Sequence, residues 1–157
     1  MAVGAENHDN GTNTNEGTAR VYRWDGSTWN MLGAEGELDG QVGDKAGHSV
    51  ALSSDGTIVV VGAPYHDNGS NTNEGTVRVY KWYGSSWNMI GTEGELDGLD
   101  GDLAGRSVAL SSDGTIVAVG AYSHDNGTDI NVGTARVYRW DGSNWNRLAK
   151  KNEWGDI

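Results

Sequence analysis

Residues 46–87 read AGHSVALSSDGTIVVVGAPYHDNGSNTNEGTVRVYKWYGSSW, and the rest of the chain is a full or partial copy of this stretch. The tripeptide Val-Gly-Ala occurs at 3–5, 61–63 and 119–121, which sets a gapless period of 58 residues. When residues 3–60 are laid on residues 61–118, 44 of 58 positions are identical. A repeat of this length, built from short β-type runs, predicts a stack of small sheets rather than a helical array.

The middle copy of the repeat predicts four strands, at residues 48–52, 57–63, 75–82 and 87–90. The second run is apolar at consecutive positions, which predicts burial on both faces. The third alternates with period two, which places Val77 and Val79 on the face opposite Tyr80. An Asp-Gly pair between the first two strands predicts a two-residue hairpin turn with positive φ. Since sustained helical periodicity is absent from the sequence, the predicted fold class is all-β.

Four antiparallel strands in 58 residues match the size of a β-propeller blade, and propellers have about 4–8 blades. We expect one domain over residues 1–157, with blades at about 1–33, 46–91 and 104–149 and a non-repeating tail at 150–157. The first blade lacks its innermost strand. Three blades leave open sheet edges, which invite association. The expected partner is therefore a second copy, with a six-bladed dimer favoured, or the remaining blades of a longer protein.

Composition excludes several classes of function. The formal charge of −11 argues against nucleic acid and anionic membrane surfaces as partners. Apolar runs stay far below the ~20 residues of a membrane span, so membrane insertion is not expected. The chain has no cysteine, and hence neither a disulfide nor thiolate chemistry. Its first residues lack the basic head and apolar centre of a signal peptide, and Met1 falls inside a predicted strand, which suggests a piece of a longer array.

The segments AGHSVAL at 46–52, VGAP at 61–64 and GTVRVY at 75–80 resemble the FG-GAP repeat. This is the repeat of integrin α-chain propellers and of many secreted or surface proteins of microbes and algae. The resemblance extends over all three copies. It implies a seven-bladed or related propeller, an extracellular or cell-surface location, and a role in adhesion or ligand binding.

The sequence departs from that family at the calcium loop between the first two strands. The family pattern there resembles Asp-x-Asp-x-Asp-Gly, whereas residues 53–56 read SSDG. One carboxylate does not supply the 6–8 oxygens that Ca²⁺ takes. We therefore expect the family's calcium site to be lost in this chain.

A second oxygen-rich segment follows the second strand of each copy. If it curls, its side chains could converge on Ca²⁺, the one cofactor that the sequence suggests. The alternative is a solvated loop in which Asn and Asp bond to their own backbone, because the spacing fits no defined calcium loop. The candidate ligands are Asp9, Asn13, Asn15, Glu16, Asp67, Asn71, Asn73, Glu74, Asp125 and Asp129.

The linkers between copies are also acidic, and the same two interpretations apply: metal binding on charge density, or a solvated run of like charge. Their acidic residues are Glu35, Glu37, Asp39, Asp44, Glu93, Glu95, Asp97, Asp100 and Asp102.

Three further features recur in every copy: a histidine, a pair of tryptophans and an arginine. His8, His66 and His124 each precede an Asp, a pair suited to acid–base chemistry. Because the copies lie on different blades, a structural role is the favoured interpretation. Tryptophan pairs flank the turn after the third strand, and packing between blades is favoured over stacking on sugars. The arginines are expected to pair with acids of a neighbouring blade. These residues are Trp24, Trp29, Trp82, Trp87, Trp140, Trp145, Arg20, Arg78 and Arg136.

Asn10, Asn68 and Asn126 each begin an Asn-Gly-Thr/Ser sequon in the same loop of the repeat. They are candidate glycosylation sites if the chain enters a secretory route.

These features together favour a non-enzymatic binding or adhesion module whose rim loops contact a protein or glycan. One alternative is a self-assembling structural block without a ligand. Another is a sialidase-like glycosidase, because residues 25–29, DGSTW, resemble the Asp-box turn of that group. Catalysis needs one asymmetric site, and the near-identical copies offer no unrepeated constellation, so no catalytic residue is predicted.

Overall fold

The computed structural model describes residues 1–148, which form β-strands connected by loops and contain no helix. The strands are β1 Ala2–Ala5, β2 Thr18–Trp24, β3 Trp29–Leu32, β4 Ser49–Leu52, β5 Ile58–Ala63, β6 Thr76–Trp82, β7 Trp87–Met89, β8 Ala104–Leu110, β9 Ile116–Ala121, β10 Thr134–Trp140 and β11 Trp145–Arg147. Residue 149 and the predicted tail at 150–157 lie outside the described residues. A helix that could span a membrane is absent from residues 1–148.

The strands form three antiparallel meanders, β1-β2-β3, β4-β5-β6-β7 and β8-β9-β10-β11. The first sheet has three strands because its copy lacks the innermost one. The predicted all-β fold is confirmed, and the arrangement is consistent with propeller-like blades. The β1–β2, β5–β6 and β9–β10 loops leave the three sheets at the same end, and the acidic linkers after β3 and β7 leave from this end too. We call this end the rim, and the opposite end, which carries the hairpin turns, the turn end.

The middle sheet is buried on both faces because it lies between the other two. Val59 and Val61 of β5 pack towards the first sheet, while Val60 packs towards the third, which confirms the expectation from consecutive apolar positions. On β6, Val79 faces the third sheet and Tyr80 faces the first. The period-two alternation of this strand therefore sorts its side chains between two separate cores.

Two hydrophobic clusters hold the sheets together. Between the first and second sheets lie Ala19, Val21, Leu38, Ala46, Val59, Val61, Ala63, Tyr80 and Trp87. Between the second and third lie Val60, Val77, Val79, Leu96, Ala104, Val117, Val119, Ala121, Tyr138 and Trp145. Each cluster takes a residue from the acidic linker, Leu38 or Leu96, so the linkers are anchored in the core.

Glycine lets neighbouring sheets approach at the inner strands. A Cβ on Gly62 would lie 2.1 Å from the carbonyl oxygen of Gly105, and one on Gly4 would lie 1.9 Å from that of Gly47. Both distances are far below van der Waals contact, so a larger residue would force the sheets apart. The glycine of the Val-Gly-Ala tripeptide is thus required by packing between sheets at positions 4 and 62.

The turn between β4 and β5 differs from the predicted two-residue hairpin. The amide of Ser53 donates to the carbonyl of Ile58 at 2.9 Å, so four residues lie inside the turn. Only Gly56 has a positive φ, of 73°. The Asp55 carboxylate accepts hydrogen bonds from the Ser53 hydroxyl and from the amide and hydroxyl of Thr57, and this side-chain closure favours the longer turn.

Candidate functional site

The loops at the rim are closed by one aspartate in each copy. Asp9, Asp67 and Asp125 each accept a hydrogen bond at 2.7 Å from the amide of the residue six positions later. Those residues, Asn15, Asn73 and Asn131, have positive φ of 53°, 50° and 53°, a conformation that Asn tolerates better than most residues. The three loops are therefore held in one shape by their own side chains.

The linkers continue this surface from one repeat to the next. Lys45 and Leu103 donate backbone hydrogen bonds to the carbonyls of Asn15 and Asn73. The amide of Tyr65 then donates to the carbonyl of Asp44, which joins the linker to the following copy. Loop and linker thus alternate along the rim, connected by backbone hydrogen bonds.

Several carboxylates that were candidate metal ligands in the linkers have individual structural partners. Glu37 and Glu95 each accept the backbone amide of a tryptophan, Trp87 or Trp145, at 3.0 Å. Glu35 pairs with Arg20 at 3.0 Å. These acids are therefore distributed along the linkers, each with its own contact.

A buried ion network links each linker to the next copy. His66 Nδ1 lies 3.1 Å from the carboxylate of Asp44, and Arg78 reaches the same carboxylate at 3.4 Å. Asp102, His124 and Arg136 repeat the arrangement, with distances of 2.9 and 2.7 Å to the carboxylate. The expectation that arginines pair with acids of a neighbouring copy is confirmed for these two.

The network shifts the ionisation of its members. Burial raises the pKa of Asp44, but hydrogen bonds from His66 and from the Gln41 amide outweigh it, so the pKa lies below its usual range. The pKa of His66 is raised, chiefly by its hydrogen bond to Asp44. The pKa of Asp102 is also lowered. Burial raises this pKa, but hydrogen bonds from Arg136 and His124 outweigh the effect of burial.

One cluster brings ligand-type side chains together. A ring nitrogen of His66 and carboxylate oxygens of Glu74 and Asp97 all lie within 4.8 Å of one another. The cluster borders a depression of about 390 Å³ at the rim, which His66, Asp67, Glu93 and Asp97 line with others. This is an arrangement that can hold a cation.

The structure distributes the predicted calcium ligands differently from the sequence-based expectation. Asp67 closes its own loop, and Asn71 donates from Nδ2 to Glu74 Oε2 at 2.8 Å. Asn13 makes the same bond to Glu16 at 3.1 Å. Of the predicted set in the middle copy, Glu74 alone joins the His66 cluster. The remaining candidates, Asp125 and Asp129, lie in an exposed loop.

Sequence reasoning did not group His66, Glu74 and Asp97, although each was noted separately. Glu74 lies eight residues after His66, and Asp97 follows a further 23 residues later, beyond two strands. The available signal was repetition, since His8, Glu16 and Asp39 have the same spacing one copy earlier.

A tryptophan packs between sheets where another sheet precedes its own, as in the second and third sheets. Trp87 and Trp145 are each 5% exposed, which confirms packing for these two, and each contacts the other member of its pair with ring centroids 5.3 Å apart. Trp24 and Trp29 of the first sheet are about half exposed.

The segment that resembles an Asp-box is a hydrogen-bonded turn at the turn end. Asp25 accepts bonds from the amides of Ser27 and Thr28 at 2.8 and 2.9 Å, and these hold its pKa well below the usual range. Asp141 makes the equivalent bonds in the third copy. Both aspartates therefore have a turn-closing role in the sheet.

The candidate glycosylation residues Asn10, Asn68 and Asn126 are all exposed in the rim loops. Their modification stays a prediction.

Comparison with known proteins identifies one segment of the chain. Residues 37–80, which span most of the first acidic linker, β4, β5 and most of β6, match the family model described as the FG-GAP repeat. No curated protein matches the chain. The chain therefore contains an FG-GAP repeat at residues 37–80, as the sequence resemblance predicts.

Proposed function

We propose that this chain is a non-enzymatic binding module whose propeller-like blades present the rim to a protein or glycan outside the cell. The observation that supports this is the repeated closure of the rim loops by Asp9, Asp67 and Asp125. Loops that are ordered before binding lose little conformational entropy when a ligand arrives. A row of similar loops also suits a ligand with repeated groups, since linked contacts raise the overall affinity.

The charge of the rim favours a ligand with basic groups. The chain carries a net charge of −11, and the depression at the rim is lined by Asp67, Glu93 and Asp97. Complementary charge speeds encounter and suppresses wrong partners. Among protein ligands we expect basic surfaces, and among glycans those with amino groups or many hydroxyls.

The test is an array of glycans and basic peptides probed with the labelled chain. Exposed rim side chains are removed in Asn68→Ala and Asp129→Ala, and Tyr83→Ala, exposed at the turn end, is the matched control. We expect the rim variants to lose binding and the control to keep it. A complete lack of ligands, or an equal loss in all three variants, contradicts the proposal.

The open faces of the outer sheets favour a second role, as a building block that associates with copies of itself or with further blades of the same kind. Val137 in β10 is 37% exposed, whereas Val79, its counterpart in β6, is 1% exposed. Trp29 is uncovered on the opposite side of the stack. Exposed apolar patches of this kind mark association sites.

Native mass spectrometry and sedimentation test this role. A discrete dimer supports a closed ring of six blades, and a ladder of masses supports a filament. A monomer at all concentrations contradicts self-association.

A further inference from the structure

Glu74 holds a buried carboxylate oxygen that lacks a hydrogen-bond donor. The residue is 2% exposed. Its Oε2 accepts from Asn71, while Oε1 has no partner among residues 1–148. Glu16, the equivalent residue one copy earlier, is 3% exposed and shows the same pattern, with Oε2 bonded to Asn13 and Oε1 unpartnered. A buried charge without compensation is costly, and this one occurs in the first two copies of the repeat.

The side chains around Glu74 are oriented as metal ligands are. Nδ1 of His66 is engaged by Asp44 at 3.1 Å, which leaves Nε2 as the ring nitrogen free for a cation. A carboxylate that holds the far nitrogen of a ligating histidine is the usual support of a metal site. Asp97 in turn accepts a hydrogen bond from the hydroxyl of Thr76. Each of the three candidate ligands is thus held by another residue.

We propose that His66, Glu74 and Asp97 bind a divalent cation of the Zn²⁺ class. One imidazole and two carboxylates suit Zn²⁺, with three protein ligands and an open fourth position for water. Ca²⁺ is disfavoured because it takes 6–8 oxygens. Tetrahedral ligands with bonds of about 2.1 Å lie about 3.4 Å apart. The present separations, within 4.8 Å, need only a small side-chain contraction.

The positive charge of Arg78 does not exclude a cation here. Arg78 is paired with Asp44 at 3.4 Å and with Glu93 at 3.0 Å. Two carboxylates therefore offset its charge, and those of Glu74 and Asp97 remain for the metal. The rim depression bordered by His66 and Asp97 gives the ion a path from solvent.

The other copies of the repeat do not reproduce this site. In the third copy, Val132 stands at the position of Glu74. In the first copy, His8, Glu16 and Asp39 keep the ligand types, but no carboxylate among residues 1–148 bonds to the His8 ring to orient it. We therefore expect one tight site per chain, in the middle copy.

Isothermal titration of the EDTA-treated full chain with ZnCl₂, MnCl₂ and CaCl₂ tests the site. We expect saturable binding of one Zn²⁺ per chain, with Ca²⁺ much weaker. Glu74→Gln and Asp97→Asn should each weaken Zn²⁺ binding by at least about 10-fold. Glu16→Gln, the matched change in the first copy, should leave the tight site unchanged.

Thermal unfolding provides a second measurement that also checks that the variants fold. Zn²⁺ should raise the melting temperature of the wild type and of Glu16→Gln, because a ligand of the native state stabilises it. At the same Zn²⁺ concentration it should raise the melting temperature of Glu74→Gln less. If Zn²⁺ does not bind saturably, or if folded Glu74→Gln and Asp97→Asn bind it as the wild type does, the site holds only water and the proposal is wrong.

Discussion

The indole Nε1 of Trp87 donates a hydrogen bond to the carbonyl oxygen of Leu32, 3.0 Å away on the preceding sheet. Trp145 makes the equivalent bond to Ile90 at 3.2 Å. Trp29 occupies the same place in the first sheet and is 52% exposed, because residues 1–148 contain no sheet before it. The hairpin between the third and fourth strands of the repeat therefore carries a tryptophan that packs on the preceding sheet. In the first sheet this tryptophan is exposed to solvent.

Replacing Trp87 by Phe should lower the free energy of unfolding by about 1–3 kcal/mol, because a buried hydrogen bond and ring volume are lost. The matched change Trp29→Phe should cost less than about 0.5 kcal/mol, as exposed positions usually do. Urea denaturation followed by circular dichroism measures both. Equal effects of the two substitutions would show that the first sheet is covered in solution.

The glycines of the Val-Gly-Ala tripeptide allow a second comparison. Gly62→Ala should destabilise the chain by about 1–3 kcal/mol, since its Cβ would meet the backbone of Gly105 at 2.1 Å. At Gly120 the nearest obstacle is the hydroxyl of Ser107, at 2.2 Å, and this side chain can rotate away. Gly120→Ala should therefore be nearly neutral in urea denaturation of the monomer.

The same pair also reports on association. If another blade packs on the third sheet as that sheet packs on the second, Gly120→Ala should reduce the assembled fraction in sedimentation without changing monomer stability. If the assembled fraction of Gly120→Ala equals that of the wild type, the contact between chains does not involve this face of the third sheet.

The two-sided burial of β5 and the pairing of arginines with neighbouring acids could be predicted from the sequence, because local periodicity and charge determine them. The His66 cluster was not predicted, since its members come from a rim loop and a linker that are separated by two strands, and only the 58-residue repetition links them in the sequence. The bond between Asp44 and His66 was not predicted either, because it joins a linker to the rim loop of the following copy, and charge alone does not show which imidazole lies beside this carboxylate. Contacts between repeats depend on how the sheets stack, and the copies alone do not specify this.

Stability should fall in acid as Asp102 is protonated. Its pKa in the folded chain is lowered, as burial is outweighed by bonds from Arg136 and His124. A depressed carboxyl pKa contributes stability above the unfolded value, about 3.9. That contribution is lost as the pH falls through the lower folded value. Urea denaturation at pH 7 and pH 3 should show the loss.

Asp102→Asn should be less stable than the wild type at pH 7 and should show a smaller decrease between pH 7 and pH 3. Asp129→Asn, at an exposed position of the third rim loop, is the control for the loss of one charge. If both variants keep the full pH dependence, other carboxyls are responsible for the acid sensitivity.

Asp67→Ala should loosen its rim loop while leaving the sheets intact. The side chain closes the loop through the amide of Asn73 at 2.7 Å, and loss of such a cap costs about 0.5–2 kcal/mol locally. Asn73 has a positive φ of 50°, which is unfavourable for residues other than glycine. Without the hydrogen bond to Asp67, the loop should therefore leave this conformation more often. Hydrogen exchange should therefore accelerate at residues 67–74, with strand amides of β5 and β6 unchanged. Asn68→Ala, next to it and exposed, should leave exchange in the loop as it is; if it speeds exchange as much as Asp67→Ala does, the aspartate bond is not what orders the rim.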